Sequence, residues 1–280
     1  MGWDDGVDTL LPTSKKVAHP EYVSGACLPL FFGSEREAYS YYIGQRYLRI
    51  EARTLTLIVC FLPTFALVSC IFLALFFHFD EATNTHCHVP NILPSISTVI
   101  GGFWETNFIW SWAIYLHALP RLIPAFAYNN VFIPRAPRRG RLTWFLIRLH
   151  ATLSLVELSA LLSLTYYNSD YNHLYHVVSF SIFGSTSLLY ALVHLTLCRR
   201  LELHVQTKLQ MQAWRLKKRA FCLSVSCLLT CFYLFYRHNA YCEPYVFSVF
   251  SLFEYSFVLS NILFHSTFRL DFHDRCLYIS

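Results

Sequence analysis

Residues 57–77 read LIVCFLPTFALVSCIFLALFF, twenty-one positions without one charged side chain. About 20 apolar residues in a helix rise far enough to cross the roughly 30 Å hydrocarbon core of a bilayer. A helix in a soluble domain keeps one polar face, and this stretch has none. Working outward, five further apolar stretches lie near 108–128, 145–166, 175–197, 218–236 and 244–265. The pattern predicts an all-α, polytopic membrane protein built as a bundle of six transmembrane helices.

Composition agrees. Only 14% of the 280 residues are charged, against about 25% in a typical soluble domain. The formal net charge is +5, but the cations sit between apolar stretches rather than in a patch that would follow nucleic acid, so no nucleic-acid partner is expected.

The placement of these cations predicts orientation. Arg46, Arg49 and Arg53 precede the first stretch, and Arg135, Arg138, Arg139 and Arg141 separate the second from the third. Arg199, Arg200, Lys208, Arg215, Lys217, Lys218 and Arg219 separate the fourth from the fifth, and Arg269 and Arg275 follow the sixth. The intervening segments 78–107 and 167–174 carry no Lys or Arg, and 237–243 carries Arg237 alone. Positively charged loops stay in the cytosol, so both termini are expected there, and 78–107, 167–174 and 237–243 face the lumen or exterior. Residues 1–45 read as a disordered cytosolic tail and 46–280 as the six-helix transmembrane domain. The apolar positions within 199–219 allow a surface helix or extensions of the fourth and fifth spans. The first apolar run begins near Leu55, so no N-terminal secretory signal is expected.

Ionisable groups within spans are the most informative residues, because removing them from water is costly unless they find partners. These are His117 and Arg121 in the second span, His150 and Glu157 in the third, and Glu254 with Asn261 in the sixth. From the cytosolic ends, a rise of about 1.5 Å per residue puts His117, Glu157 and Glu254 roughly 16–18 Å deep. Arg121, His150 and Asn261 come at roughly 6–11 Å. His117 and Arg121 are spaced i,i+4, and His150–Glu157 and Glu254–Asn261 are spaced i,i+7, so each pair shares a helix face. Pro120 and Pro124 should kink the second span around Arg121.

Two readings stay open. One is an ion-paired network, Arg121 with Glu157 or Glu254, that fixes helix register. The other is a pocket for a lipid head group, in which Glu157, Glu254 or His117 serves as a catalytic group and Arg121, His150 and Asn261 hold the lipid.

The lumenal segments form a second constellation. Cys87 and Cys242 are the only cysteines expected there, and in an oxidising compartment a disulfide is their simplest fate. A metal site on His86, Cys87, His88 and His238 has no C-x-x-C or H-x-x-x-H spacing behind it, so no metal or other cofactor is assigned. Asn91, Ser95, Ser97, His238 and Glu243 offer a nucleophile-and-base group at the membrane surface, with His238 a further catalytic candidate and Asn91 and Arg237 further lipid contacts. Cys60, Cys70, Cys198, Cys222, Cys227 and Cys231 read as small hydrophobes, with Cys198 beside Arg199 and Arg200 a candidate for acylation.

Five stretches carry a family resemblance: HCHVPNILPSIS at 86–97, LHALPR at 116–121, VELSALLSLTY at 156–166, YRHNAYCE at 236–243 and EYSFVLSN at 254–261. In this order and spacing the chain resembles, over roughly 46–270, the post-GPI-attachment-to-proteins factor 2 family, six-span proteins related to the damage-regulated autophagy modulators. His88 stands where that family is expected to have Gly. The resemblance implies lipid remodelling of GPI anchors in the Golgi membrane, with the endoplasmic reticulum membrane as a second location. It implies that the protein is needed to re-acylate a lyso-GPI anchor, and so for stable surface expression of anchored proteins. The expected ligand is a GPI-anchor lipid or lyso-phospholipid. Whether the chain is itself the lyso-GPI acyltransferase, a non-catalytic lipid-binding partner of one, or a lipid or proton-coupled transporter is left open. No H-x-x-x-x-D acyltransferase motif occurs in a lumenal segment.

Overall fold

A computed structural model describes residues 30–33, 48–169 and 171–279. Each apolar stretch of the sequence coincides with one long helix: α1 (Ala52–Phe77), α4 (Trp104–Phe132), α5 (Arg141–Tyr166), α6 (His173–Arg200), α7 (Lys208–Tyr241) and α8 (Val246–Ser266). Short helices α2 (Phe79–Thr83) and α3 (Ile96–Gly101) lie between α1 and α4, and α9 (Phe268–Asp271) follows α8. Consecutive long helices pack side by side, and α8 returns against α1, so the ring closes in chain order.

By length and composition, α1, α5, α6, α7 and the α8–α9 segment are apolar enough to cross a membrane. The 29-residue α4 is long enough but is not among these five, since its inward face carries His117, Arg121 and two prolines.

The helices are inside-out relative to those of a soluble domain. On α1 the phenylalanines point outward, with Phe61 stacked on Phe65 and Phe72 on Phe76. Its buried face is Val59, Pro63, Ala66, Cys70 and Ala74, spaced by three or four residues. Small residues on this face let α1 lie close to α4, where Cys70 Sγ donates to the Thr106 carbonyl at 3.3 Å. On α4 the buried face is Thr106, Trp110, Ile114, His117, Arg121 and Tyr128, while Phe108, Trp112, Leu119 and Phe126 face outward.

Two features depart from expectation. Leu30–Gly33, inside the segment read as a disordered tail, is strand β1; the rest of that segment, 1–29 and 34–45, lies outside the described residues. β1 and β2 (Leu48–Glu51) both pair antiparallel with β3 (Cys276–Ile279) in the order β1–β3–β2. This small sheet caps one end of an otherwise all-α bundle, the end that also carries 133–138 and 201–207 and is here called the basic end. In addition, the 199–219 segment is mostly helix extension, since α6 runs to Arg200 and α7 starts at Lys208. Cys198 is buried there, which removes it as an acylation site.

At the opposite end, the segment 84–95 does not float over the bundle. It dips inward along α8. Ser248 Oγ accepts from the Ile92 and Leu93 amides at 2.7 and 3.2 Å. Ser251 donates to the Leu93 carbonyl, Tyr255 to the Pro94 carbonyl, and the Tyr245 amide to the Pro90 carbonyl. His88, at φ 51, takes the left-handed turn conformation that glycine adopts most readily. Cys87 and Cys242 are joined by a disulfide with Cα atoms 5.3 Å apart, tying this segment to the α7–α8 connection.

Candidate functional site

The in-span ionisable residues separate into three groups rather than one pocket. The first surrounds Glu157 on α5. Its Oε2 accepts from Arg121 Nη2 at 3.2 Å, and its Oε1 accepts from Asn261 Nδ2 at 3.0 Å. Nε2 of His265 lies 2.5 Å from Arg121 Nη2 and 3.4 Å from Glu157 Oε1. A guanidinium can only donate, so Nε2 accepts there and Asn261 supplies the Oε1 hydrogen bond. The Tyr190 hydroxyl lies against the same guanidinium. His117 Nδ1 donates to the Val59 carbonyl at 2.8 Å, a peptide oxygen near Pro63, whose missing N–H leaves α1 a carbonyl to spare. The cavity beside these residues is about 50 Å³. That is room for about three waters and not for an acyl chain.

The second group lies toward the basic end. His150 Nε2 and His194 Nδ1 are 3.0 Å apart, both buried. His150 shares its helix face with Glu157, but its partner is His194 on α6. Lys217 is buried, bonded to Asp271, which also accepts from the Tyr128 hydroxyl at 2.6 Å. Lys217, expected in a cytosolic loop, lies on α7; the signal for its burial is that Ala213, Lys217, Ala220 and Ser224 fall on one helix face.

The third group is at the opposite end and contains Glu254. The expectation that Glu254 shares a layer with Glu157 is not met. Oε2 of Glu254 accepts from the Ile96 amide at 2.8 Å, at the start of α3, because the 84–95 segment brings backbone down to the carboxylate's depth. Next to it, Ser97 Oγ and His176 Nε2 are 2.8 Å apart, and His176 Nδ1 donates to the Tyr167 carbonyl at 2.9 Å. Ser95 caps α3, accepting from the Thr98 amide at 3.2 Å. These groups form one wall of a cleft of about 290 Å³ between α6, α7 and α8. Val177, Phe180, Leu228, Phe232, Phe235 and Phe250 supply its apolar wall, and Thr98, Ser169, His173 and Ser181 also line it. Val177, Phe232 and Phe235 are exposed on the outer surface of the bundle, so the cleft opens sideways, where lipid would lie.

The surface group of Asn91, Ser95, Ser97, His238 and Glu243 is not assembled among the described residues. Glu243 pairs with Arg237, which also meets the Tyr233 hydroxyl at 3.2 Å. Asn91 donates to the Val89 carbonyl two residues back. His238 is buried between Phe247 and His86. His86 lies 3.3 Å from Cys87, but both cysteine sulfurs are in the disulfide and are not available as thiolate ligands. His176 was missed from the sequence; the available signal was its position on the buried face of α6 with Ser179, Phe183, Ser187, Tyr190 and His194.

A ring of long helices, apolar on the outside and with its in-span ionisable groups turned inward, defines an all-α multi-pass membrane protein. Residues 52–275 match the Frag1/DRAM/Sfk1/Cwh43P N-terminal domain, and the chain belongs to that family. It is 38% identical over 222 residues to Post-GPI attachment to proteins factor 2 of Caenorhabditis elegans, covering 78% of this chain and 84% of that one. It is 37% identical over 224 residues to Acyltransferase PGAP2 of Xenopus tropicalis, covering 78% and 86%. With Post-GPI attachment to proteins factor 2 of Drosophila melanogaster the identity is 34% over 225 residues, covering 80% and 87%. No solved structure matches the chain.

Proposed function

We propose that this protein acts in the lipid remodelling of GPI anchors, in the re-acylation of a lyso-anchor, within the Golgi membrane and secondarily that of the endoplasmic reticulum. The relatives' names carry the pathway: they are named for steps after GPI attachment, and the Xenopus protein as an acyltransferase. One observation on this chain supports a lipid ligand. The α6–α7–α8 cleft of about 290 Å³ is walled by phenylalanines, opens sideways, and ends on Glu254, Ser97 and His176. It is near the lower end of small-molecule pockets, roughly 300–1,000 Å³. In the proposed topology α4 is a sixth span and both termini are cytosolic. The cleft then lies in the lumenal half, where the head group of a GPI lipid is found.

The Glu157 network fits an architectural role better than a chemical one. Both of its oxygens are engaged by donors, and the cavity of about 50 Å³ beside it has no room for a lipid substrate. The acyl-transfer reading therefore rests on the cleft, and the alternative is a non-catalytic partner that holds the lyso-lipid for another acyltransferase.

Reconstitution separates these. The purified chain is placed in liposomes with a lyso-GPI acceptor and a labelled diacyl phospholipid. Transfer of label by the chain alone supports the enzyme. Binding of the lyso-lipid without transfer supports the accessory role, and neither binding nor transfer would remove the proposal. Cysteine-accessibility mapping of 84–88 and 133–138, which lie on either side of α4, tests the topology, which fails if both react from the same side.

A further inference from the structure

We infer that Ser97 is an acyl-accepting nucleophile and His176 its general base, at the inner wall of the α6–α7–α8 cleft. This rests on the acyl-transfer reading above and adds to it the residues and the covalent step.

The argument begins with hydrogen-bond direction. A peptide carbonyl can only accept, so the His176 nitrogen facing the Tyr167 carbonyl, Nδ1, carries the proton. In the neutral ring the other nitrogen, Nε2, then carries a lone pair and can accept. That lone pair faces Ser97 Oγ at 2.8 Å, so the hydroxyl donates and its oxygen is left electron-rich. A base oriented by a third group and within hydrogen-bond reach of a hydroxyl is the arrangement that activates serine. Here the Tyr167 carbonyl is an orienting group.

Location supplies the second observation. His176 is buried while Ser97 is only half-buried, so the base is shielded and the nucleophile reaches the cleft. Both line the same cavity as Phe180 and Phe232, which suit a fatty chain rather than a sugar or nucleotide. Ser97 is held in place because Ser95, two residues earlier, caps α3 and Glu254 receives the Ile96 amide.

The step balances. Ser97 Oγ attacks the carbonyl carbon of an ester of a diacyl glycerophospholipid, and its proton passes to His176 Nε2. The ester C–O bond breaks, the glycerol oxygen leaves with that proton, and Ser97 holds the fatty acyl group as an ester. The free hydroxyl of a lyso-lipid then attacks this ester and gives its proton to Nε2. Ser97 Oγ leaves and takes the proton back. One ester is exchanged for another, with no oxidation.

The test uses the full chain in lipid nanodiscs and an alkyl fluorophosphonate, which phosphonylates activated serines with loss of fluoride. Peptide mass spectrometry is expected to find the adduct on Ser97. Ser97→Ala should lose it, and His176→Gln should slow it by about 100-fold or more, the usual contribution of a general base. Thermal unfolding of each variant checks that the fold is kept. A photoactivatable lyso-phospholipid is applied in parallel and should crosslink to the cleft. If the wild-type chain crosslinks but Ser97 gains no adduct, or Ser97→Ala labels as the wild type does, the nucleophile assignment is overturned and the lipid-site reading stands. If neither crosslink nor adduct forms, both fall. If the adduct forms without a crosslink, the nucleophile stands and the ligand of the proposed function is wrong.

Discussion

Arg121 on α4 and Glu157 on α5 form an ion pair of 3.2 Å with both side chains buried in the middle of the helix ring. Each charge is tolerable there only because of the other. Glu157→Leu should leave an uncompensated guanidinium and cost about 3–5 kcal/mol, whereas removing both charges should be far milder. The expected outcome is a large fall in thermal midpoint for Glu157→Leu and a recovery of most of it in Arg121→Met with Glu157→Leu. Equal midpoints for the single and double variants would rule out the pairing as the reason these charges are present.

The Cys87–Cys242 bond joins positions 155 residues apart, so in the unfolded chain it removes a large amount of freedom. Replacing both cysteines with serine should lower stability by about 2–5 kcal/mol. The fold should persist, because Ser248, Ser251 and Tyr255 still stitch the 84–95 segment to α8. A thiol mass-tag assay on the mature protein checks the bond directly. Two freely tagged thiols at Cys87 and Cys242 would show that it does not form.

What could be read from the sequence was whatever helical periodicity carries. The apolar stretches located the six long helices, and the i,i+4 and i,i+7 spacings put His117, Arg121, Glu157 and Asn261 on inward faces that meet. Depth counting failed, because it put Glu157 a layer deeper than Arg121 and Asn261, which bond to it directly, and level with Glu254, which lies in a separate group. Here the backbone of 84–95 descends into the bundle and claims the carboxylate, and no periodicity reports such a descent. Lys217, expected in a cytosolic loop, is buried against Asp271, and His265, which the sequence reading did not single out, is buried against Glu157. Ser97 is visible as a candidate nucleophile, but the base expected for it is His238 or Glu243 of the lumenal segments, whereas the imidazole that meets it is His176 on α6.

Glu254 offers a sharper distinction between support and chemistry. Its carboxylate receives one backbone donor, the Ile96 amide at 2.8 Å. In Glu254→Gln the side-chain carbonyl can still accept, so stability should change by less than about 1 kcal/mol. In Glu254→Leu the buried amide is orphaned, at a cost of about 1–3 kcal/mol. Thermal unfolding ranks the two. If Gln and Leu are equally damaging, the hydrogen bond to Ile96 is not what the carboxylate contributes.

Gly101 connects packing to the proposed base. A Cβ there would lie 2.9 Å from Cβ of Asn168, closer than side chains normally approach. Gly101→Ala must therefore push the 167–169 turn away from α3, and that turn carries the carbonyl that orients His176. Overpacking of this kind costs about 1–3 kcal/mol. The sharper expectation is kinetic: phosphonylation of Ser97 should slow while the lyso-lipid crosslink is kept, because the cleft is intact and only the ring's orientation is lost. Gly184→Ala is the control, since its Cβ would meet Leu228 at an ordinary 3.7 Å. Equal labelling rates in Gly101→Ala and Gly184→Ala would mean that the Tyr167 carbonyl does not position the imidazole, and that its hydrogen bond merely satisfies a buried ring nitrogen.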